Sequence, residues 1–217
     1  MRVVLAAFEP FGGRQKNRSL VVARRAARKV GLRVHVLPVR FARLSRAITA
    51  LLSPPPDVLL LLGEHGRAHK LHLERIAHNR IEPRIPDNAN KSPRGPVRGG
   101  SPATLRATLP LRAALAILSR RAATRLSDDA GRFACNASLY HALDHARRRR
   151  LRTRIGFIHI PVRHVPLAAA TSAIAALLAN MKTGRAPRSG TPSPRRGRTG
   201  LSSSARARSR PPPRRTA

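Results

Sequence analysis

Apolar residues arrive along this chain in short blocks, and the spacing inside each block switches between continuous and helical. Residues 2–8, Arg-Val-Val-Leu-Ala-Ala-Phe, form a run that predicts a buried strand, closed by Glu9-Pro10-Phe11-Gly12-Gly13. In 18–30, Leu20, Val21, Ala23, Ala27 and Val30 fall at helical spacing with arginines between them, and Gly31 suits a C-cap. Residues 32–40 alternate like a strand, and 41–52 read as a helix stopped by Ser53-Pro54-Pro55-Pro56. The continuous run 57–63 predicts a strand covered on both faces, followed by a turn at Gly63-Glu64-His65-Gly66. Residues 71–77 predict another strand, and 82–102, rich in Pro, Gly, Asn and Arg, a long loop of the kind that often carries function. Residues 104–121 read as a helix broken near Leu109 by Pro110. A strand around 122–127, a helix over 135–149, a strand over 154–160 stopped by Pro161 and an Ala-rich helix over 167–181 complete the series.

Strands alternating with helices predict an α/β sandwich around a largely parallel sheet. From 182 to 217 the chain holds Lys182, Gly, Pro, Ser, Thr, Ala and Arg with Leu201 as its only larger aliphatic, so that tail is expected to be disordered. The expected organisation is one domain over 1–181 and a basic tail over 182–217.

Charge adds a second reading. The chain carries 44 Lys and Arg against 9 Asp and Glu, a formal net charge of +35, and the body is strongly basic even without the acid-free tail. Such a field favours polyanions. Aromatics make up only 3% and Trp is absent, so stacking platforms for nucleic acid are scarce and any such binding is expected to be weak or non-specific. A single cysteine excludes an intramolecular disulfide. The N-terminal apolar run is too short for a signal-peptide core, and 58–62 is too short to cross a bilayer. A soluble, cytoplasmic protein with no membrane partner is the expectation.

The lone Cys135 opens a predicted helix, where the helix dipole favours a thiolate. His159 ends a predicted strand, and Glu74 lies on the segment after strand 57–63. A thiol nucleophile needs a base, and an imidazole needs an orienting carboxylate, so Cys, His and Glu make a complete set. Each also has an ordinary reading: Cys135 as a small buried hydrophobe, His159 as a satisfied core histidine, Glu74 as an ion pair with Arg75. Asp128-Asp129 suits a turn. His65, His69, His72 and His78 crowd one stretch without an accompanying cysteine or compact acidic cluster, so no metal is expected. There is no Gly-x-Ser-x-Gly, phosphate loop or dinucleotide fingerprint, and no cofactor is expected.

Five segments in order carry a resemblance. They are Phe8-Glu9-Pro10-Phe11-Gly12-Gly13 with Asn17 and Ser19, and Gly63-Glu64-His65-Gly66 through Leu73-Glu74-Arg75-Ile76-Ala77-His78-Asn79. Arg84-Ile85-Pro86-Asp87-Asn88 follows, then Ala130-Gly131-Arg132-Phe133-Ala134-Cys135-Asn136, then Gly156-Phe157-Ile158-His159-Ile160-Pro161. Together they resemble the pyroglutamyl peptidase I (pyrrolidone-carboxylate peptidase) family of cysteine peptidases. The resemblance implies a three-layer α/β/α sandwich with a mixed, largely parallel sheet, often assembled as a homotetramer. It implies removal of N-terminal pyroglutamate from peptides through a thioester, with Cys135 as nucleophile, His159 as acid and base, and Glu74 orienting it. By the same resemblance Phe8, Phe11 and Asn17 would bind the lactam, Ile85 would complete its wall, and Arg84 with the Cys135 backbone N–H would lie near the oxyanion. The chain departs from the family pattern at Ala6-Ala7, Arg18, Glu64 and His72. The alternative is a catalytically impaired member of the family acting as a basic polyanion-binding protein.

Overall fold

Strand β1 (Val3–Phe8) is buried along its whole length, as a continuous apolar run requires when helices cover both faces. The computed structural model describes residues 1–184. Around β1 lie β2 (Val34–Leu37) and β3 (Val58–His65), both parallel to it. β8 (Arg154–Pro161) is parallel to β3, whereas β4 (Leu71–Glu74) pairs antiparallel with β8 and parallel with β7 (Thr124–Ser127). The sheet order is β2-β1-β3-β8-β4-β7. A separate antiparallel pair joins β5 (Ile76–His78) to β6 (Thr104–Arg106).

Period-two alternation divides the core. Leu5, Leu60, Leu62, Ile158 and Ile160 pack beneath α1 (Arg18–Lys29), α3 (Leu111–Ser119) and α5 (Leu167–Thr183). Val4, Ala6, Phe8, Leu59, Leu61 and Phe157 face α2 (Phe41–Leu51) and α4 (Ala134–Arg148). The result is a three-layer α/β/α sandwich with a mixed, largely parallel sheet.

Five elements differ from the sequence reading. The turn expected at Gly63-Glu64-His65 is still strand, because β8 continues beside it in register to Pro161. Pro161 lies inside β8 without penalty: its partner is His65, and the pairing with β4 has already ended at His159. The single strand 71–77 is two, divided at Arg75. The N-terminal part of the helix expected over 104–121 is β6, and the helix begins at Leu111 behind Pro110. Helix α5 runs to Thr183, so the tail expected from 182 lies outside the described residues except for its first residues.

Candidate active site

β8 sits between β3 and β4, and His159 is therefore flanked by Gly63 on one side and His72 on the other. Glu74 is two residues beyond His72 on β4, on the same face, which brings it diagonally to His159. His159 Nδ1 lies 2.7 Å from Glu74 Oε1, and both side chains are buried. Burial alone would lower the His159 pKa. The facing Cys135 sulfur and Glu74 outweigh it and raise the pKa to about 10, so the imidazole is held as a cation.

Cys135 is the second residue of α4. Phe133, in an extended conformation, caps this helix without a side-chain hydrogen bond, and the first intrahelical bond runs from Ala137 N–H to Phe133 C=O. The N–H groups before Ala137, that of Cys135 among them, have no intrahelical acceptor and point positive charge at the thiol end of the helix. β4 and β7 run opposite to the other strands, and β7 ends at Ser127, paired with Glu74 at the edge of the site. Cys135 reaches it on the first turn of α4, against Gly63. A Cβ at residue 63 would stand 2.7 Å from Sγ and 2.6 Å from the Phe157 ring, so only glycine leaves room for the sulfur.

Cys135 and His159 open into a cleft of ≈1240 Å³, also lined by Phe11, Arg84, Ile85 and Phe133. The Phe11 and Phe133 rings are 5.6 Å apart, and Ile85 is one of few large apolar side chains among the described residues that stay exposed, at 43%. Phe8 lies beneath the site, only 1% exposed, with its ring 6.4 Å from that of Phe157. Asn17 is the N-cap of α1: its Oδ1 accepts from Ser19 N–H at 2.9 Å and from the Ser19 hydroxyl, and its Nδ2 donates to Glu9 C=O. Of the expected substrate-binding residues, Phe11, Arg84 and Ile85 thus share the cleft with Cys135 and His159, while Phe8 and Asn17 support its floor and rim.

The loop bearing Arg84 and Ile85 is fixed by Asp87 and Asn88. Asp87 accepts from the backbone N–H groups of Phe41, Ala89 and Lys91. Asn88 donates to Glu9 Oε1 and to Pro10 C=O, tying this loop to the first motif. Asn136 secures the other wall: it accepts from His78 N–H and donates to the carbonyls of His78 and Arg80. Sequence reasoning gave Asp87, Asn88 and Asn136 no role, although all three stand inside the motifs that carry the resemblance.

The departures at Glu64, Arg18 and His72 are accommodated locally. Glu64 is buried, accepts from the Arg18 N–H at 2.6 Å at the start of α1, and pairs with Arg14. His72 Nδ1 is 4.0 Å from Glu74 Oε1, beyond hydrogen-bond reach, and burial together with Arg125 lowers its pKa to about 4. Burial and His159 also lower the pKa of His65, whose ring stands 5.2 Å from that of His159. The Glu74 carboxylate therefore serves His159. Among the described residues no group of three or more His, Cys, Asp or Glu is arranged to hold a metal ion.

The arrangement supplies a thiol, a cationic imidazole fixed by a buried carboxylate, helix N–H donors without an intrahelical acceptor, and an apolar wall. The family model described as pyroglutamyl peptidase matches residues 1–179. A pyrrolidone-carboxylate peptidase from Gloeobacter violaceus is 40% identical over 74% of this chain and 82% of its own length. The solved structure of the pyrrolidone carboxyl peptidase from Thermococcus litoralis superposes with a TM-score of 0.75 at 28% identity, covering 85% of this chain and 97% of that one. Pyroglutamyl peptidase I from Bacillus amyloliquefaciens gives 0.73 at 29% identity, covering 82% and 93%.

Proposed function

The chain belongs to the pyroglutamyl peptidase family, and from that premise we propose that it removes N-terminal pyroglutamate from peptides with Cys135 as nucleophile, His159 as acid and base, and Glu74 as the residue that orients His159. The observation that carries the assignment of roles is the 2.7 Å contact between His159 and a fully buried Glu74, in a cleft shared with the Cys135 thiol.

The Cys135 thiolate attacks the pyroglutamyl carbonyl carbon, a C–S bond forms, and the carbonyl π pair moves to oxygen. The Cys135 N–H at the start of α4 and Arg84 stabilise that oxyanion. As the oxyanion collapses the C–N bond breaks, and His159 gives its proton to the departing amine. Neutral His159 then takes a proton from water, whose oxygen attacks the thioester. Pyroglutamate leaves and the thiolate and imidazolium return. Glu74 keeps Nδ1 protonated throughout, so Nε2 is the nitrogen that gives and takes the proton. Phe11, Phe133 and Ile85 offer apolar faces to a flat, uncharged lactam, which enters without desolvating a charge. Phe8 backs this wall through Phe157, and Asn17 holds the rim through Glu9.

Release of a fluorophore from a pyroglutamyl amide tests the reading. Activity abolished by a thiol alkylator and by Cys135→Ser supports it, and full activity in Cys135→Ser overturns it. The alternative, an impaired family member that binds polyanions, is not favoured: the departures at Glu64, Arg18 and His72 leave the His159–Glu74 contact in place, and net charge is the remaining support. The domain over 1–181, the tail over 182–217, the homotetramer and the cytoplasmic location belong to the same proposal. Among the described residues no helix is long and apolar enough to cross a membrane. Sedimentation of the full chain checks the tetramer.

A further inference from the structure

Charge in the cleft is unevenly spent. Its acids are all engaged: Glu64 by Arg14 and the Arg18 N–H, Glu82 by Arg80 and Arg94, and Asp129 by Arg132 and the Gly131 N–H. Of the arginines lining the cleft, Arg67 and Arg84 have no ion-pair partner among the described residues. Arg84 is assigned above to the oxyanion. Arg67 is left over, and the direction of the proton transfer fixes which side of the scissile bond it borders.

His159 protonates the departing amine, so it stands on the leaving-group side of the scissile bond, opposite the lactam wall. The His65 ring is 5.2 Å from His159 in an edge-on arrangement, His65 Nδ1 accepts from the backbone N–H of Arg67 at 3.2 Å, and Arg67 lines the cleft beside His65. Arg67 therefore belongs to the turn that borders the leaving-group side, where the residue after pyroglutamate must lie. A guanidinium there attracts a carboxylate and repels an ammonium, and it can hold a carboxylate with two hydrogen bonds.

We propose that this enzyme selects pyroglutamyl peptides with an acidic side chain immediately after the scissile bond, and that Arg67 is the selecting residue. This rests on the activity proposed above. The test measures pyroglutamate release from the pyroglutamyl-Glu-Ala, pyroglutamyl-Ala-Ala and pyroglutamyl-Lys-Ala amides. C-terminal amides are used so that the terminal carboxylate is not itself a ligand. The expected kcat/KM ratio of the Glu to the Lys peptide is about fivefold at about 20 mM salt, approaching one at about 0.5 M as screening shortens to a few ångströms. Arg67→Glu removes or reverses the preference. Binding of the same peptides to Cys135→Ala, followed by calorimetry, separates the two claims. If the wild type releases nothing but Cys135→Ala still prefers the Glu peptide, the activity fails and the selection stands. Equal turnover and equal binding of the Glu and Lys peptides at low salt overturn the selection, as does failure to bind any of them. A preference that survives unchanged in Arg67→Glu overturns the role of Arg67.

Discussion

Gly63 lies directly against the Cys135 sulfur: a Cβ at residue 63 would come within 2.7 Å of Sγ, and within 2.6 Å of the Phe157 ring on the same side. Phe157 is fully buried and has no open space to move into, whereas the Cys135 sulfur can yield only toward the cleft, away from its present seat. Gly63→Ala is expected to destabilise the fold by about 1–3 kcal/mol through overpacking, and to displace the sulfur from His159. Thermal denaturation reads the first effect. The rate of Cys135 alkylation by iodoacetamide reads the second, and an unchanged rate would show that the sulfur keeps its place.

The His159–Glu74 pair predicts a direction for stability against pH. His159 has a folded pKa of about 10 against an ordinary value of 6.5: burial opposes the proton, and Cys135 and Glu74 outweigh it. A raised pKa means that the folded chain holds the proton more tightly than the unfolded one. The resulting stabilisation is complete below pH 6.5 and is lost as pH rises from there to about 10. The melting temperature of the wild type should fall across that window, and that of Glu74→Gln should fall less steeply. The same substitution should lower kcat by about a hundredfold or more, because the imidazole loses the group that fixes its tautomer. Equal slopes for the two proteins would remove Glu74 as a source of the raised pKa.

The sequence made the strands and helices with strong local patterns legible, and was silent where pairing between distant segments decides. The runs that became β1, β3 and β8 are continuous and apolar, and α1, α2 and α4 have helical spacing with clear ends. Thr104–Arg106 was a different case. Its surroundings are rich in Ala and Leu, good helix formers, yet its partner in β5 lies almost thirty residues earlier, as the pairing of His78 with Thr104 sets out. The reversal of β4 is likewise a property of the sheet, invisible in Leu-His-Leu-Glu. In the site, residues with chemistry of their own were visible as candidates. Supports such as Asp87 and Asn136 act through backbone groups: Asn136 on the distant segment 78–80, and Asp87 on its own loop and on the distant start of α2, so the part each plays in the site shows only once the chain is folded.

Asp87 gives a way to separate binding from chemistry. Its carboxylate accepts three backbone N–H groups, including that of Phe41 at the start of α2, and these hold its pKa low although burial pushes the other way. It touches neither Cys135 nor His159, but it fixes the loop that carries Arg84 and Ile85 into the cleft. Asp87→Ala is expected to raise KM about tenfold, since a positioning error of about an ångström is enough for such an effect. kcat should fall by a smaller factor. A fall in kcat at constant KM would mean that the loop serves the oxyanion and not the lactam.

Asn136 tests whether the helix end that presents Cys135 must be held from outside. Fully buried beside the thiol, it uses both ends of its amide: Oδ1 accepts from His78 N–H, and Nδ2 donates to the carbonyls of His78 and Arg80. Asn136→Asp preserves the shape and the acceptor but cannot donate, and it sets a negative charge against two carbonyl oxygens. Asn136→Ala removes all three bonds and leaves three backbone groups to find other partners. A fully buried unsatisfied group costs about 1–3 kcal/mol and these groups are only part-buried, so both variants should be destabilised by about 1–3 kcal/mol. They differ in where the helix can go. In Asn136→Ala the first turn of α4 is only loosened. In Asn136→Asp the segment 78–80 is pushed away, and that segment leads directly into the loop bearing Arg84 and Ile85. The aspartate should therefore raise KM more than the alanine at a matched loss of stability. Steady-state kinetics on a pyroglutamyl amide, taken at a temperature where both variants are folded by circular dichroism, decide it. Equal KM values would confine the role of Asn136 to the helix end.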